Sequence, residues 1–151
     1  MSPLPADPEG RAAAVVSHML AHDEFSRWLG LELLDVNPDR VTIRMVVRQD
    51  MVNGFGVCHG GVTFAFADSA FAFASNTGGQ VSVSIENSMT YPAAVHVGDV
   101  LLAEAEKEAS SRRLGYYRVR VTRTDGAVVA LFRGTVFQTE REHDVGRDGS
   151  E

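Results

Sequence analysis

An α+β fold, in which an antiparallel sheet covers one long buried helix, is predicted by three features of this sequence. The stretch Val62 to Ser75 holds ten apolar residues among 14 and a single charge, Asp68, which is too uniformly apolar for a surface helix. Two strand-like segments precede it and four follow, and the later ones are separated by turn-forming residues. No repeat and no Gly/Ser- or Pro-rich linker divides the chain, so these elements form one domain over residues 11–138.

Each element has its own signal. From Arg11 to Trp28, Val15, Val16, Met19, Leu20, Phe25 and Trp28 recur at roughly helical spacing, with a break expected near Asp23 and a stop at Gly30. Leu31 to Val36 is a short strand. Val41, Ile43, Met45 and Val47 alternate with polar residues, the period of a half-buried strand, and Asn53-Gly54 marks a turn. The apolar helix follows and ends at Gly78-Gly79. Four strands are then expected at Val81 to Tyr91, Asp99 to Ala109, Gly115 to Arg123 and Ala127 to Phe137, the last pair joined by a tight Asp125-Gly126 hairpin. A long, curved sheet could wrap the helix, which explains why that helix needs almost no polar face. Three prolines in residues 1–10 and seven charges in residues 139–151 predict disordered tails at both ends.

Composition narrows the function. The chain has 151 residues, 44% of them apolar, and 14 Lys plus Arg against 20 Asp plus Glu, for a net charge of −6. A chain of this length buries roughly 70% of its unfolded surface, so folding needs no metal or disulfide. The negative charge argues against nucleic acid and against anionic membranes as partners. One cysteine, Cys58, leaves no disulfide framework. With neither a basic, apolar leader nor an 18-residue apolar run, a cytoplasmic location is expected.

Asp68 carries the most information. A carboxylate among Phe64, Phe66, Phe71 and Phe73 must be paired, hydrogen-bonded or functional, and the functional reading is a general base or nucleophile in an aromatic cleft. Upstream, His59-Gly60-Gly61 opens the helix, where backbone amides point outward and the dipole favours an anion. Such amides can form an oxyanion hole for acyl transfer, although a plain glycine turn would look the same. Gly60 and Asp68 are eight residues apart, roughly 12 Å along one helix, so a single carbonyl cannot touch both. If both act on one carbon, they must come from two subunits, across a dimer interface between antiparallel helices.

The motifs Met51-Val-Asn53-Gly54, Cys58-His59-Gly60-Gly61, Phe66-Ala67-Asp68-Ser69-Ala70-Phe71-Ala72 and Ala130-Leu-Phe-Arg-Gly134 resemble the phenylacetic-acid-degradation thioesterases of the hotdog superfamily, over about Asp23 to Gln138. The resemblance implies a hotdog fold, with a six-stranded antiparallel sheet wrapped around the central helix and dimers that pair into tetramers. It implies hydrolysis of an acyl-CoA, here of the phenylacetyl or hydroxyphenylacetyl type, to free acid and CoA. Asp68 would then be the catalytic carboxylate and Gly60 the carbonyl-binding amide, with Asn53 and His59 placing substrate and water. Ser84 matches a position that bears a hydroxyl in some relatives, Ser69 keeps the hydroxyl of an Asp-Thr pair, and Phe55 replaces a polar residue or His, which bears on acyl preference. Alternatives are a thioesterase for a medium-chain or dihydroxynaphthoyl CoA, or a non-catalytic acyl-CoA-sensing module, which would typically lack the carboxylate.

The chemistry needs no cofactor, because a thiolate leaves readily and amide hydrogen bonds plus one carboxylate suffice. The adjacent pair Cys58-His59 does not read as a catalytic dyad, and His18 with His22 lacks a third metal ligand. From Lys107 to Arg123 the net charge is +5, leaving −11 elsewhere. Arg112 and Arg113, on the turn between two strands, are the expected clamp for the CoA phosphates, whereas Arg118, Arg120 and Arg123 read as a solvated strand face.

Overall fold

Asp7 starts the first helix: its side chain accepts the Gly10 amide at 2.7 Å, and Pro8 in the first turn has no N–H to leave unpaired. The computed structural model describes residues 3–146, and in it α1 runs from Pro8 to His22 and α2 from Glu24 to Leu29. Asp23, with φ −94° and ψ 88°, separates them and caps α2 through the Ser26 amide at 3.0 Å. Gly30 ends α2 in the left-handed region at φ 72°. The break predicted near Asp23 is therefore a cap, and the helix starts three residues earlier than the expected tail allowed.

The strands β1 (Glu32–Asn37) and β2 (Arg40–Val46) form a hairpin, followed by a single 3-10 turn at Gln49–Met51. The helix α3 spans Gly60–Asn76. Then come β3 (Gln80–Thr90), β4 (Val100–Ser111), β5 (Leu114–Arg123) and β6 (Val128–Glu142). All six strands form one antiparallel sheet in the order β1-β2-β4-β5-β6-β3, which makes β1 and β3 its edges. Every strand except β1 packs on α3, while α1 packs on β1.

Alternation builds the core. Val41, Ile43 and Met45, then Leu101, Ala103 and Ala105, then Val119 and Val121 point inward and are buried against Phe66, Phe71 and Phe73 of α3. The small alanines of β4 let the sheet close on the helix, so the wrapped arrangement expected from the apolar helix is the one observed.

The expected C-terminal tail is corrected in part. Residues 139–142 continue β6 because β3 begins early enough to pair with them, Gln80 opposite Glu142. The His143 amide then donates to Gly79 O at 2.8 Å, and its Nε2 lies 2.7 Å from Asn76 Oδ1 at the end of α3. The rest of the expected tails, residues 1–2 and 147–151, lies outside the described residues.

Candidate active site

His59 caps α3. Its Nδ1 accepts the Gly61 amide at 2.8 Å, and its carbonyl accepts the Val62 amide at 2.9 Å. A ring nitrogen that accepts carries no proton, so in the neutral ring the proton sits on the exposed Nε2. Among the described residues the Gly60 amide has no hydrogen-bond acceptor. The Gly60 carbonyl is held by the Tyr91 hydroxyl, which donates to it at 2.9 Å. A Cβ on Gly60 would lie 3.4 Å from the Tyr91 ring, an ordinary contact, so packing does not demand glycine here. The missing side chain instead leaves the amide open at the positive end of the helix.

The loop before it is stiff. Asn53 Oδ1 accepts the amides of Phe55 at 2.9 Å and Val57 at 3.4 Å, and the Asn53 amide donates to Val57 O at 2.8 Å. The oxygen of Asn53 is thus engaged in its own turn, while its Nδ2 makes no hydrogen bond among the described residues. Phe55 forms the tip of this loop and is 93% exposed.

Asp68 lies two turns along α3 and is half-buried. Its Oδ1 accepts Asn87 Nδ2 from β3 at 3.3 Å, and Asn87 Oδ1 in turn accepts the Ser84 hydroxyl at 2.9 Å. Burial is the main cause that pushes the Asp68 carboxyl above the usual range; the charge of Asp23 adds to it, and the Asn87 bond opposes both. A carboxylate held this way is a stronger base than a solvated one.

Sequence reasoning missed Asn87, and the reason is geometric. Ser84 and Asn87 are three apart, a spacing that would put them on opposite faces of a regular strand. The register of β3 against β6 shifts between Ser84 and Glu86, and this bulge turns both side chains toward one another. Tyr91 was missed as well, because its partner is a backbone carbonyl 31 residues away.

Other expected residues separate from the site. Ser69 is 8% exposed, and its hydroxyl lies 2.8 Å from that of Ser26 on α2, so it faces the helix junction. Arg113 is tied to Glu140 at 2.6 Å and to Gln138 O, so in this structure its charge meets a carboxylate of the chain itself. Arg112 is exposed at φ 39° at the tip of the β4–β5 hairpin and has no ion-pair partner among the described residues. Arg118 pairs with Glu106 and Arg123 with Asp125, in keeping with a solvated face.

Cys58 is buried beside Thr63, and burial pushes its thiol pKa up, away from a reactive thiolate. The ring of His22 bonds back to His18 O at 2.9 Å, and no group of three His, Cys, Asp or Glu residues among the described residues could hold a metal. A groove of about 830 Å³ on the outer face of the sheet, lined by Arg40, Glu104, Arg120 and Leu131 among others, contains none of the predicted site residues. No described helix is long and apolar enough to cross a membrane.

One chain therefore presents two half-sites. Asp68, Asn87 and Ser84 form one, and the Gly60 amide with His59 and Asn53 forms the other, roughly 12 Å away along α3.

Comparison with known proteins bears on the fold and the family. Residues 55–130 match the model of the thioesterase superfamily. The chain is 31% identical over 116 residues to the Escherichia coli acyl-coenzyme A thioesterase PaaI, covering 77% of this chain and 83% of the relative. The solved structure of the E. coli PaaI protein from the phenylacetic acid degradation operon superposes with a TM-score of 0.87 at 27% identity, covering 90% of this chain and 99% of that one. The TT0310 protein from Thermus thermophilus is 42% identical with a TM-score of 0.75, covering 78% and 99% respectively.

Proposed function

Because this chain belongs to the thioesterase superfamily, as a PaaI-like hotdog thioesterase, we propose that it hydrolyses an aromatic acyl-CoA, of the phenylacetyl or hydroxyphenylacetyl type, to free acid and CoA. The observation that carries this reading is the half-buried Asp68, held by Asn87, on the same helix as a Gly60 amide that has no acceptor among the described residues. The aromatic preference is supported by the similarity to the E. coli PaaI protein, which comes from the phenylacetic acid degradation operon. A role in phenylacetate breakdown would follow from that substrate.

The site is assembled from two copies. The edge strand β3 has 11 residues, an edge that pairs with no other strand among the described residues, and exposed Val83 and Ile85, so a second β3 can extend the sheet across a two-fold axis. This brings α3 of each copy alongside the other in antiparallel fashion, with Asp68 of one facing the Gly60 amide of its partner. Pairing of such dimers into tetramers extends the same proposal.

In the reaction the Gly60 amide hydrogen-bonds the thioester oxygen as negative charge develops on it. Asp68 either takes a proton from the attacking water or attacks the carbonyl itself, forming an anhydride that water then opens. The C–S bond breaks and CoA leaves as a thiolate, so no metal or cofactor is required. Arg112 is the residue proposed to meet the CoA phosphates. The strand register Leu114–Phe137–Val83 sets its hairpin at the same end of the sheet as Ser84. A cytoplasmic location suits the single, unpaired Cys58.

The test is thiol release from a panel of phenylacetyl-, medium-chain and dihydroxynaphthoyl-CoA. Wild type should turn over phenylacetyl-CoA faster than the medium-chain and dihydroxynaphthoyl members, and Asp68→Asn should lose the activity. Undiminished turnover by the variant, or no turnover of any member by wild type, overturns the assignment.

A further inference from the structure

Behind Asp68 lies a second carboxylate that the mechanism above does not use. Asp23, between α1 and α2, accepts the Ser26 amide at 3.0 Å through Oδ1 and the Ser26 hydroxyl at 2.5 Å through Oδ2. The Ser26 oxygen lies 2.8 Å from that of Ser69, the residue next to Asp68, and Ser26 is only 1% exposed. Proton counting fixes the direction of this chain. An ionised carboxylate only accepts, so Ser26 gives its one hydroxyl proton to Asp23, and Ser69 must give its own to Ser26. A Ser69 hydroxyl committed in this way cannot fold back onto the carbonyl of its own helix.

We propose that Asp23 is a positioning residue for the thioesterase reaction: through Ser26 and Ser69 it locks the turn of α3 that carries Asp68, and it holds a second negative charge beside that carboxylate. The inference rests on the reading of Asp68 as the reactive group. The charged groups around Asp68 are few. The helix α3 bears no other charge, β3 contributes the neutral Asn87 while its Glu86 is exposed, and Glu24 and Arg27 of α2 are exposed. Asp23 is the charge that acts on Asp68, and like charges favour the protonated form, which agrees with the upward direction set first by burial. Asp23 thereby makes Asp68 a stronger base at neutral pH.

Asp23→Asn keeps a helix-capping side chain while removing the charge, so the fold should survive. Ser26→Ala leaves the charge and breaks the relay. In Asp23→Asn the acid limb of the kcat/KM profile should move to lower pH and the neutral-pH rate should fall. In Ser26→Ala the limb should stay while kcat drops several-fold at unchanged KM. An acid limb that does not move in Asp23→Asn overturns the proposal.

A carboxyl NMR titration of Asp68 reads the same effect without turnover, and should show the resonance titrating at lower pH in Asp23→Asn. If Asp68→Asn is fully active while the titration still shifts, the Asp68 reading fails and the coupling stands. An inactive Asp68→Asn with an unshifted titration refutes the coupling alone.

Discussion

At the scale of single residues, Asp68 sets function against stability. Its carboxyl is pushed upward in the folded chain, chiefly by burial. Below the unfolded value of about 3.9 both states are protonated and the group has no effect on stability. As pH rises, the unfolded chain ionises first, so stability falls through this window and the loss is complete above the folded pKa. Asp68→Asn should therefore abolish hydrolysis and yet raise the midpoint of thermal unfolding at pH 7, with the gain vanishing near pH 3. Stabilising changes of this kind commonly amount to roughly 0.5–2 kcal/mol. A lower midpoint at pH 7 would contradict the burial argument. Asp68 and Gly60 were legible in the sequence because each breaks a local rule, a charge in an apolar helix and a glycine pair at a helix start. Asn87 and Tyr91 break none, since an Asn or Tyr in a strand is ordinary until a bulge or a distant carbonyl gives it a partner.

Among the elements, periodicity, apolar content and turn residues located the α-helical stretches and all six strands but not the 3-10 turn at Gln49–Met51, and the boundary errors fall where pairing overrides pattern. Thr139 to Glu142 have no apolar alternation, and only the length of β3 makes them a strand. Conversely, Gly134 in β6 looks like a weak point in a strand but is required by what it faces. A Cβ there would lie 2.6 Å from Phe71 Cζ and 2.9 Å from Asn87 Oδ1. The Phe71 ring is fully buried against Tyr117 and Phe132 and has nowhere to retreat. Gly134→Ala should cost about 1–3 kcal/mol, the usual range for overpacking, measured as a shifted urea midpoint at constant slope. It should also lower kcat, because displacing Asn87 removes the bond that holds Asp68. A variant that is destabilised but fully active would separate Asn87 from the reaction.

For the molecule as a whole, the net charge of −6 conceals a basic stretch whose members differ in what they can bind. Arg112 alone of the hairpin pair is without an internal partner among the described residues, so Arg112→Ala should weaken CoA binding several-fold and flatten its salt dependence, as measured by calorimetry. Arg113→Ala should do much less, since its charge already meets Glu140. Identical losses in both variants would restore the two-residue clamp.

The two-copy site makes a stronger demand. Gly60 is the first residue of α3, where proline is tolerated, and His59 at φ −59° and ψ 131° already has the backbone a following proline requires. Gly60→Pro should thus remove the carbonyl-binding N–H without breaking the helix. Alone, Gly60→Pro and Asp68→Asn should both be inactive. Mixed and allowed to exchange subunits, half of the dimers are mixed, and each mixed dimer carries one doubly defective site and one intact site, built from the Asp68 of the first variant and the Gly60 of the second. About a quarter of wild-type activity should return for isologous dimers. If each chain held a complete site, both variants would be defective in every site and mixing would restore nothing.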